Sequence, residues 1–130
     1  MFWNTYFKPS IIVMLLVVGL HWVASLQGLY WSIGWYDIVM HYLGGVWTAL
    51  FMLWAVSTQY GTKLRWLKSI VGVLSFVFVV GVLWEAHEIV LGFTSFFDYG
   101  YWSDTWLDIV MDMLGAVSAI LVYRKDLKNN

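Results

Sequence analysis

The segment IVGVLSFVFVVGV, residues 70–82, carries no charged side chain and continues directly into LWEAHEIVL, residues 83–91. A run of roughly 20 mainly apolar residues is long enough to cross the hydrocarbon layer of a bilayer as a helix. The segment therefore predicts a membrane-spanning helix. The apolar run is nevertheless interrupted near its end by Glu85, His87 and Glu88.

The composition of the whole chain favours the same class of protein. Hydrophobic residues make up 62% of its 130 residues and charged residues 12%, against roughly 45–50% and about 25% in soluble domains. A domain this small has too much surface for such a composition to suit water. The length predicts one domain over residues 1–130. The absence of cysteine excludes disulfides and thiolate chemistry, and no basic tract suggests a nucleic-acid partner.

Four segments are apolar and long enough to span a membrane, at about residues 9–26, 36–57, 67–92 and 104–123. The connections between them are short, which favours antiparallel neighbours. We therefore predict an all-α fold, a polytopic membrane protein built as an antiparallel four-helix transmembrane bundle.

Basic residues indicate the orientation of these spans. All seven fall before the first span, between the second and third, or after the fourth: Lys8, Lys63, Arg65, Lys68, Arg124, Lys125 and Lys128. The positive-inside rule makes that side cytoplasmic, with both termini inside. Every acidic residue except Asp126 falls on the opposite side. The expected location is a bacterial inner membrane, as a multi-pass protein.

The two outer connections are rich in aromatic residues, as GLYWSIGWY (28–36) and FTSFFDYGYW (93–102) show. Tyrosine and tryptophan prefer the boundary between lipid and water. These side chains are expected to form an interfacial belt in contact with membrane lipids. A binding surface for a flat or lipidic ligand is the alternative interpretation.

Polar residues recur at helical spacing at the outer ends of three spans, on one face of each helix. The sets are Asp37 with His41, Glu85 with Glu88, and Asp104 with Asp108 and Asp112. His87 lies about 200° around the helix from Glu85 and so faces elsewhere. A rise of about 1.5 Å per residue predicts three depths: a mouth of Asp37 and Asp104, then His41, Glu88 and Asp108, then Glu85 and Asp112.

Up to six carboxylates cannot all stay ionised in a confined space, and no lysine or arginine lies on that side. Oxygen ligands with one imidazole suit a divalent ion such as Mg²⁺, Mn²⁺, Ca²⁺, Zn²⁺ or Fe²⁺. The predicted metal ligands are His41, Glu88 and Asp108, joined by Asp37 and Asp112. Glu85 is a further ligand or a catalytic general base. A protonated or water-filled hydrogen-bonded cluster remains the alternative.

Small residues follow two of the polar sets by one turn, Gly44 and Gly45 after His41, and Gly115 and Ala116 after Asp112. Small side chains let membrane helices approach closely. These glycines are therefore expected to support the cluster through helix packing.

Together, the blocks Asp37-xxx-His41-xx-Gly44, Glu85-xx-Glu88 and Asp108-xxx-Asp112-xx-Gly115 resemble the VanZ-like family of small bacterial membrane proteins, and related uncharacterised inner-membrane proteins with a WExxE-type motif. The resemblance covers about residues 37–119. It implies that these residues form one site in a cell-envelope protein. Glu88 stands where that family usually has glutamine, and Asp112 where it has asparagine. This site is therefore more acidic than the family pattern.

The leading hypothesis is a VanZ-like envelope protein with an acidic divalent-cation site opening to the extracytoplasmic face, acting on a lipid-linked or cell-wall component. One alternative is a small ion- or proton-coupled carrier, which four spans favour only as a homodimer. Another is a non-catalytic membrane subunit or scaffold. A haem bound by two histidines fits the surrounding carboxylates poorly. The sequence does not choose between enzyme and non-enzyme.

Overall fold

The computed structural model describes residues 5–58 and 66–123. Its helices are α1 (Phe7–Gln27), the short α2 (Leu29–Ser32), α3 (Tyr36–Ser57), α4 (Ile70–Leu91) and α5 (Tyr101–Val122). The four long helices are sufficiently long and apolar to cross a membrane. They pack together as a bundle, and the prediction of an all-helical bundle of four apolar spans is confirmed.

Local sequence signals account for several helix ends. α1 and α4 end at Gly28 and Gly92, whose φ angles of 63° and 76° are left-handed and favour glycine. α4 begins after Ser69, whose hydroxyl accepts a hydrogen bond from the N–H of Gly72 at 3.0 Å. α5 begins at Tyr101, three residues before the predicted start, following Gly100 with a φ of 83°.

α3 and α5 form the most extensive helix pair and run in the same direction. The carbonyl of Tyr42 lies against Gly115, and the Tyr42 hydroxyl donates to Ser118 Oγ at 2.8 Å. A Cβ on Gly45 would collide with the backbone carbonyl of Asp112. Glycines on both helices therefore allow the close approach that was predicted from their positions.

α4 runs antiparallel to this pair and α1 packs against α3 on another side. Thr105 pairs with Glu85 of α4, whereas Asp112, further along α5, lies beside Gly81, earlier in α4. α1 is also antiparallel to α3, because the Tyr36 hydroxyl donates to the carbonyl of Leu20 near the end of α1. Only Ser10 and Ala24 of α1 are buried, which suits a helix that contacts lipid.

The end of the bundle at which α3 and α5 begin is called the outer end, following the predicted orientation. The apolar core lies towards the opposite, inner end and includes Leu53, Val73 and Val77, each at most 1% exposed. Lys8 and Lys68 lie in the described part of the chain near the inner helix ends. Lys63, Arg65, Arg124, Lys125, Asp126 and Lys128 lie outside the described residues, and the cytoplasmic placement of both termini stays a prediction.

Candidate functional site

One imidazole forms the centre of a buried polar cluster at the outer end of the bundle. His41 is 6% exposed. Its Nε2 atom lies 3.9 to 4.0 Å from one oxygen each of three carboxylates, those of Asp37, Glu85 and Asp108. Its Nδ1 atom lies 3.4 Å from Oδ2 of Asp112. The cluster thus joins α3, α4 and α5 through a single side chain.

The two carboxylate oxygens of Glu85 have different surroundings: one accepts a hydrogen bond and the other has no hydrogen-bond partner. The Thr105 hydroxyl donates to Oε2 at 2.7 Å. Oε1 is buried and has no hydrogen-bond partner, although it points towards His41 Nε2. Burying a carboxylate oxygen without a partner costs free energy. This atom therefore indicates a place where a proton or a cation is to be bound.

Exposure falls steeply from the mouth of the cluster to its interior. The Asp37 side chain is 36% exposed, whereas those of His41, Glu85 and Asp108 are 5 to 7% exposed. Asp37 is therefore the member that water reaches directly. The other members are separated from the inner end by the apolar core around Leu53.

The geometry of the cluster fits one metal ion. Asp37, His41 and Asp108 each offer one ligand atom, and these atoms lie within 4.8 Å of one another. Divalent ions hold oxygen and nitrogen ligands at about 2.0–2.6 Å, so two ligand atoms of one ion lie up to about 4–5 Å apart. The distances of 3.9 to 4.0 Å around Nε2 are too long for hydrogen bonds. They match ligand atoms that surround an ion.

The structure brings Glu85, rather than Glu88, next to His41 among the described residues. Glu88 Oε1 instead accepts a hydrogen bond of 3.0 Å from Trp84 Nε1, on its own helix. The helix ends explain this arrangement. Because α5 begins at Tyr101 and α4 ends at Leu91, Asp108 lies about 10 Å below its helix start and Glu85 about 9 Å below its helix end.

The remaining predicted residues lie around this centre at different distances. Asp104 is exposed in the first turn of α5. Asp112 lies on the Nδ1 side of the imidazole, and a Cβ added to Gly44 would lie 3.7 Å from its Oδ1. Gly45 and Gly115 make the close contacts between α3 and α5. His87 is exposed, with its ring centroid 5.2 Å from that of Trp84.

Two residues at the site were not among those predicted, Thr105 and Gly81. Helical spacing could have identified both of them. Thr105 precedes Asp108 by three residues and Asp112 by seven, on the buried face of α5. Gly81 precedes Glu85 by four residues and faces Asp112, whose Oδ2 lies 2.7 Å from the position of a Cβ on that glycine.

A second, more exposed polar group lies above the mouth. His21 Nδ1 is 2.8 Å from the Tyr30 hydroxyl, and Ser25 Oγ is 3.5 Å from His21 Nε2. Burial, with added repulsion from nearby Asp37, Tyr36 and Glu88, raises the pKa of Tyr30 to about 12. The Tyr30 hydroxyl therefore keeps its proton at neutral pH.

Comparison with known proteins assigns the chain to a family. Residues 4–129 match the family described as "Predicted membrane protein (DUF2238)", and the chain belongs to this family. The resemblance to the VanZ-like family stays a hypothesis. No curated protein and no solved structure matches the chain.

Proposed function

We propose that this member of the DUF2238 family of predicted membrane proteins binds a divalent cation at the outer end of its bundle. The ligands are His41, Asp37, Asp108 and Glu85. The observation that carries the proposal is the environment of His41 Nε2, which faces three carboxylates from three helices at 3.9 to 4.0 Å. It is also supported by the burial of Glu85 Oε1, one of these three oxygens, without a hydrogen-bond partner.

Electrostatics favour a cation over a purely hydrogen-bonded cluster. The chain has no lysine or arginine in residues 9–62 or 69–123. Positive charge near the carboxylates must therefore come from His41, from added protons or from a bound cation. Attraction between opposite charges is strong in a partly buried site, because water screens it less there. A divalent ion neutralises two carboxylates at once.

The donor set suits a hard or borderline divalent ion, because three carboxylates and one imidazole offer oxygen ligands and a single nitrogen. Mg²⁺, Mn²⁺, Ca²⁺, Zn²⁺ and Fe²⁺ are the candidates. The partial exposure of Asp37 leaves a direction from which an outside molecule approaches. Sites with such an open position are typical of metals that act on a substrate.

For the substrate we propose a lipid-linked or cell-wall component at the extracytoplasmic face. Support comes from the predicted orientation and from exposed aromatic side chains near the outer end, which include Trp31, Trp35 and Trp102. A bound divalent ion supplies Lewis acidity at such a site. The hydrogen bond from Thr105 to Oε2 fixes the orientation of the Glu85 carboxylate, so that its Oε1 faces His41 Nε2 and the proposed ion.

The inner half of the bundle does not favour the carrier hypothesis. A carrier for ions or protons needs polar groups along its path. Below the cluster, no buried residue of the described chain carries a charge, and the core contains side chains such as Leu53 and Val77. The buried polar residues there are the uncharged Ser10, Thr48 and Thr58. Within the described residues, the exposed member of the cluster, Asp37, is at the outer end, and no charged group continues the cluster towards the inner end.

Metal analysis and thermal unfolding of the purified protein in detergent test the proposal. Divalent ions added after EDTA treatment are expected to raise the unfolding temperature, since a ligand at 100 times its Kd stabilises the folded state by about 2.7 kcal/mol. Protein that carries no metal and does not respond to any of the five ions contradicts the proposal.

Matched variants locate the ion. His41→Ala is expected to abolish the shift in unfolding temperature, whereas His87→Ala, which removes an exposed histidine, retains it. Asp108→Asn should reduce ion affinity more than Asp104→Asn, which changes an exposed residue one turn earlier on the same helix. Equal losses within either pair would place the ion elsewhere.

A further inference from the structure

Asp112 differs from the other three carboxylates in its position around His41. It approaches Nδ1, at 3.4 Å, whereas Asp37, Glu85 and Asp108 approach Nε2. The two ring nitrogens direct their lone pairs or protons away from each other, so one ion cannot be bound by both. An ion at Nε2 is therefore out of reach of Asp112 on the far side of the ring.

A metal-bound histidine commonly donates its other ring N–H to a carboxylate, which fixes the tautomer and the ring orientation. Asp112 is placed to accept that hydrogen bond from Nδ1. In that tautomer Nε2 has a free lone pair and faces the three remaining carboxylates. The contact also comes from a different helix, α5, and so holds the imidazole from outside its own helix.

The space that Asp112 occupies exists because glycines border it. A Cβ on Gly81 of α4 would lie 2.7 Å from Asp112 Oδ2 and 3.6 Å from its Cγ. A Cβ on Gly44 of α3 would lie at an ordinary 3.7 Å from Oδ1. Gly81 is thus the residue whose lack of a side chain admits the carboxylate, and any larger residue there displaces it.

We infer that Asp112 is a positioning residue that holds His41 through Nδ1 rather than a metal ligand, and that Gly81 is the residue that makes room for it. This inference rests on the proposed cation site. It separates the five titratable residues of the cluster into an ion-binding set around Nε2 and a support on the other side of the ring. Gly81 of α4 thereby belongs to the site although it has no functional group of its own.

The first test compares amide substitutions by titrating EDTA-treated protein in detergent with Mn²⁺. Asp112→Asn keeps an oxygen that accepts the Nδ1–H, so a loss of affinity of about threefold is expected, against about tenfold or more for Asp112→Ala. Asp108→Asn, which replaces a ligand, should also lose about tenfold or more. If Asp112→Asn weakens binding as far as Asp108→Asn, Asp112 is a ligand and the inference is wrong.

The second test is a double-mutant cycle between Gly81 and Asp112. Gly81→Ala in the natural background is expected to lower the unfolding temperature by several degrees and to weaken Mn²⁺ binding about tenfold. In the Asp112→Ala background, the same change should cost nothing further, because the carboxylate it collides with is gone. Equal effects of Gly81→Ala in both backgrounds overturn the role assigned to Gly81.

Gly19→Ala provides the matched control, since Gly19 is also within a long helix and a Cβ there would meet nothing within 4 Å. It should leave ion binding unaltered and should not lower the unfolding temperature, because alanine is a better helix former than glycine. The unfolding temperatures of the four proteins in the cycle are also measured in EDTA. The role of Gly81 is thereby tested separately from the proposed cation site. If the natural protein responds to no ion, the proposed function fails and with it the support of a ligand by Asp112. The cycle in EDTA then still decides whether Gly81 makes room for Asp112.

Discussion

The outer and inner halves of the bundle are built from the same helices and are packed by opposite kinds of side chain. The outer half buries His41 among four carboxylates, while the inner half buries residues such as Leu53 and Val77. Apolar packing stabilises a fold without any ligand, whereas a buried acidic cluster is costly until it is neutralised. The inner half therefore supports the fold, and the outer half is the part available for binding.

The largest expected effect comes from the glycine contact that joins α3 to α5, the two helices that run through both halves. Gly45→Ala places a Cβ against the backbone carbonyl of Asp112, which cannot rotate away. α3 and α5 must then separate, with a loss of about 3 kcal/mol or more, or failure to fold. Tryptophan fluorescence during thermal unfolding measures this change. Gly44→Ala is the adjacent control, because its Cβ meets only ordinary contacts, and similar losses for both would refute the explanation.

A cavity in the inner half should affect stability without affecting ion binding. Leu53 is fully buried in the apolar core, and Leu53→Ala is expected to cost about 2–3 kcal/mol of unfolding free energy. The shift caused by added Mn²⁺ should keep its size, because the cavity lies below the site. Leu121→Ala, at a 62% exposed position on α5, should change stability by about 0.5 kcal/mol or less. If Mn²⁺ no longer raised the unfolding temperature of Leu53→Ala, the outer and inner halves of the bundle would not be energetically independent.

Neutralising Glu85 should weaken ion binding without lowering stability, which is the reverse of the effect expected for Leu53→Ala. Glu85→Gln is expected to weaken Mn²⁺ binding at least tenfold, which is about 1.4 kcal/mol. It should not lower stability in EDTA, because it removes a buried negative charge whose Oε1 has no hydrogen-bond partner. Glu88→Gln should have the smaller effect on Mn²⁺ binding, as Glu88 pairs with Trp84 instead. A larger loss from Glu88→Gln would restore it as the predicted ligand.

The smallest expected effect is a pH dependence at the mouth. The pKa of Tyr30 is raised from 10.0 to about 12, so the folded protein keeps a proton that the unfolded chain loses. Stability should therefore fall as the pH rises from about 10 to about 12. Tyr30→Phe should flatten this part of the profile of unfolding temperature against pH. If the unfolding temperature of Tyr30→Phe falls with pH as steeply as that of the natural protein, Tyr30 is not the cause of the loss of stability.

Much of the fold could be predicted because its signals are local. An uncharged run such as residues 70–82 predicts a span from composition alone. Spacing of three or four residues placed His41 on one face with Asp37, and Asp108 with Asp112, and the structure brings all four together. The layers were harder to predict, since the depth of a residue depends on where its helix begins.

The sequence by itself determined the class of protein, the four apolar spans and the convergence of acids at one end, because composition and helical periodicity are properties of each segment alone. The tertiary structure decided that Glu85 rather than Glu88 meets His41, that Asp112 lies on the opposite side of the imidazole, and that Gly81 admits it. These features depend on the alignment of separate helices. α5 starts three residues earlier than predicted, which places its carboxylates about 4.5 Å deeper in the bundle. A shift of that size changes which carboxylates of neighbouring helices lie at the same depth.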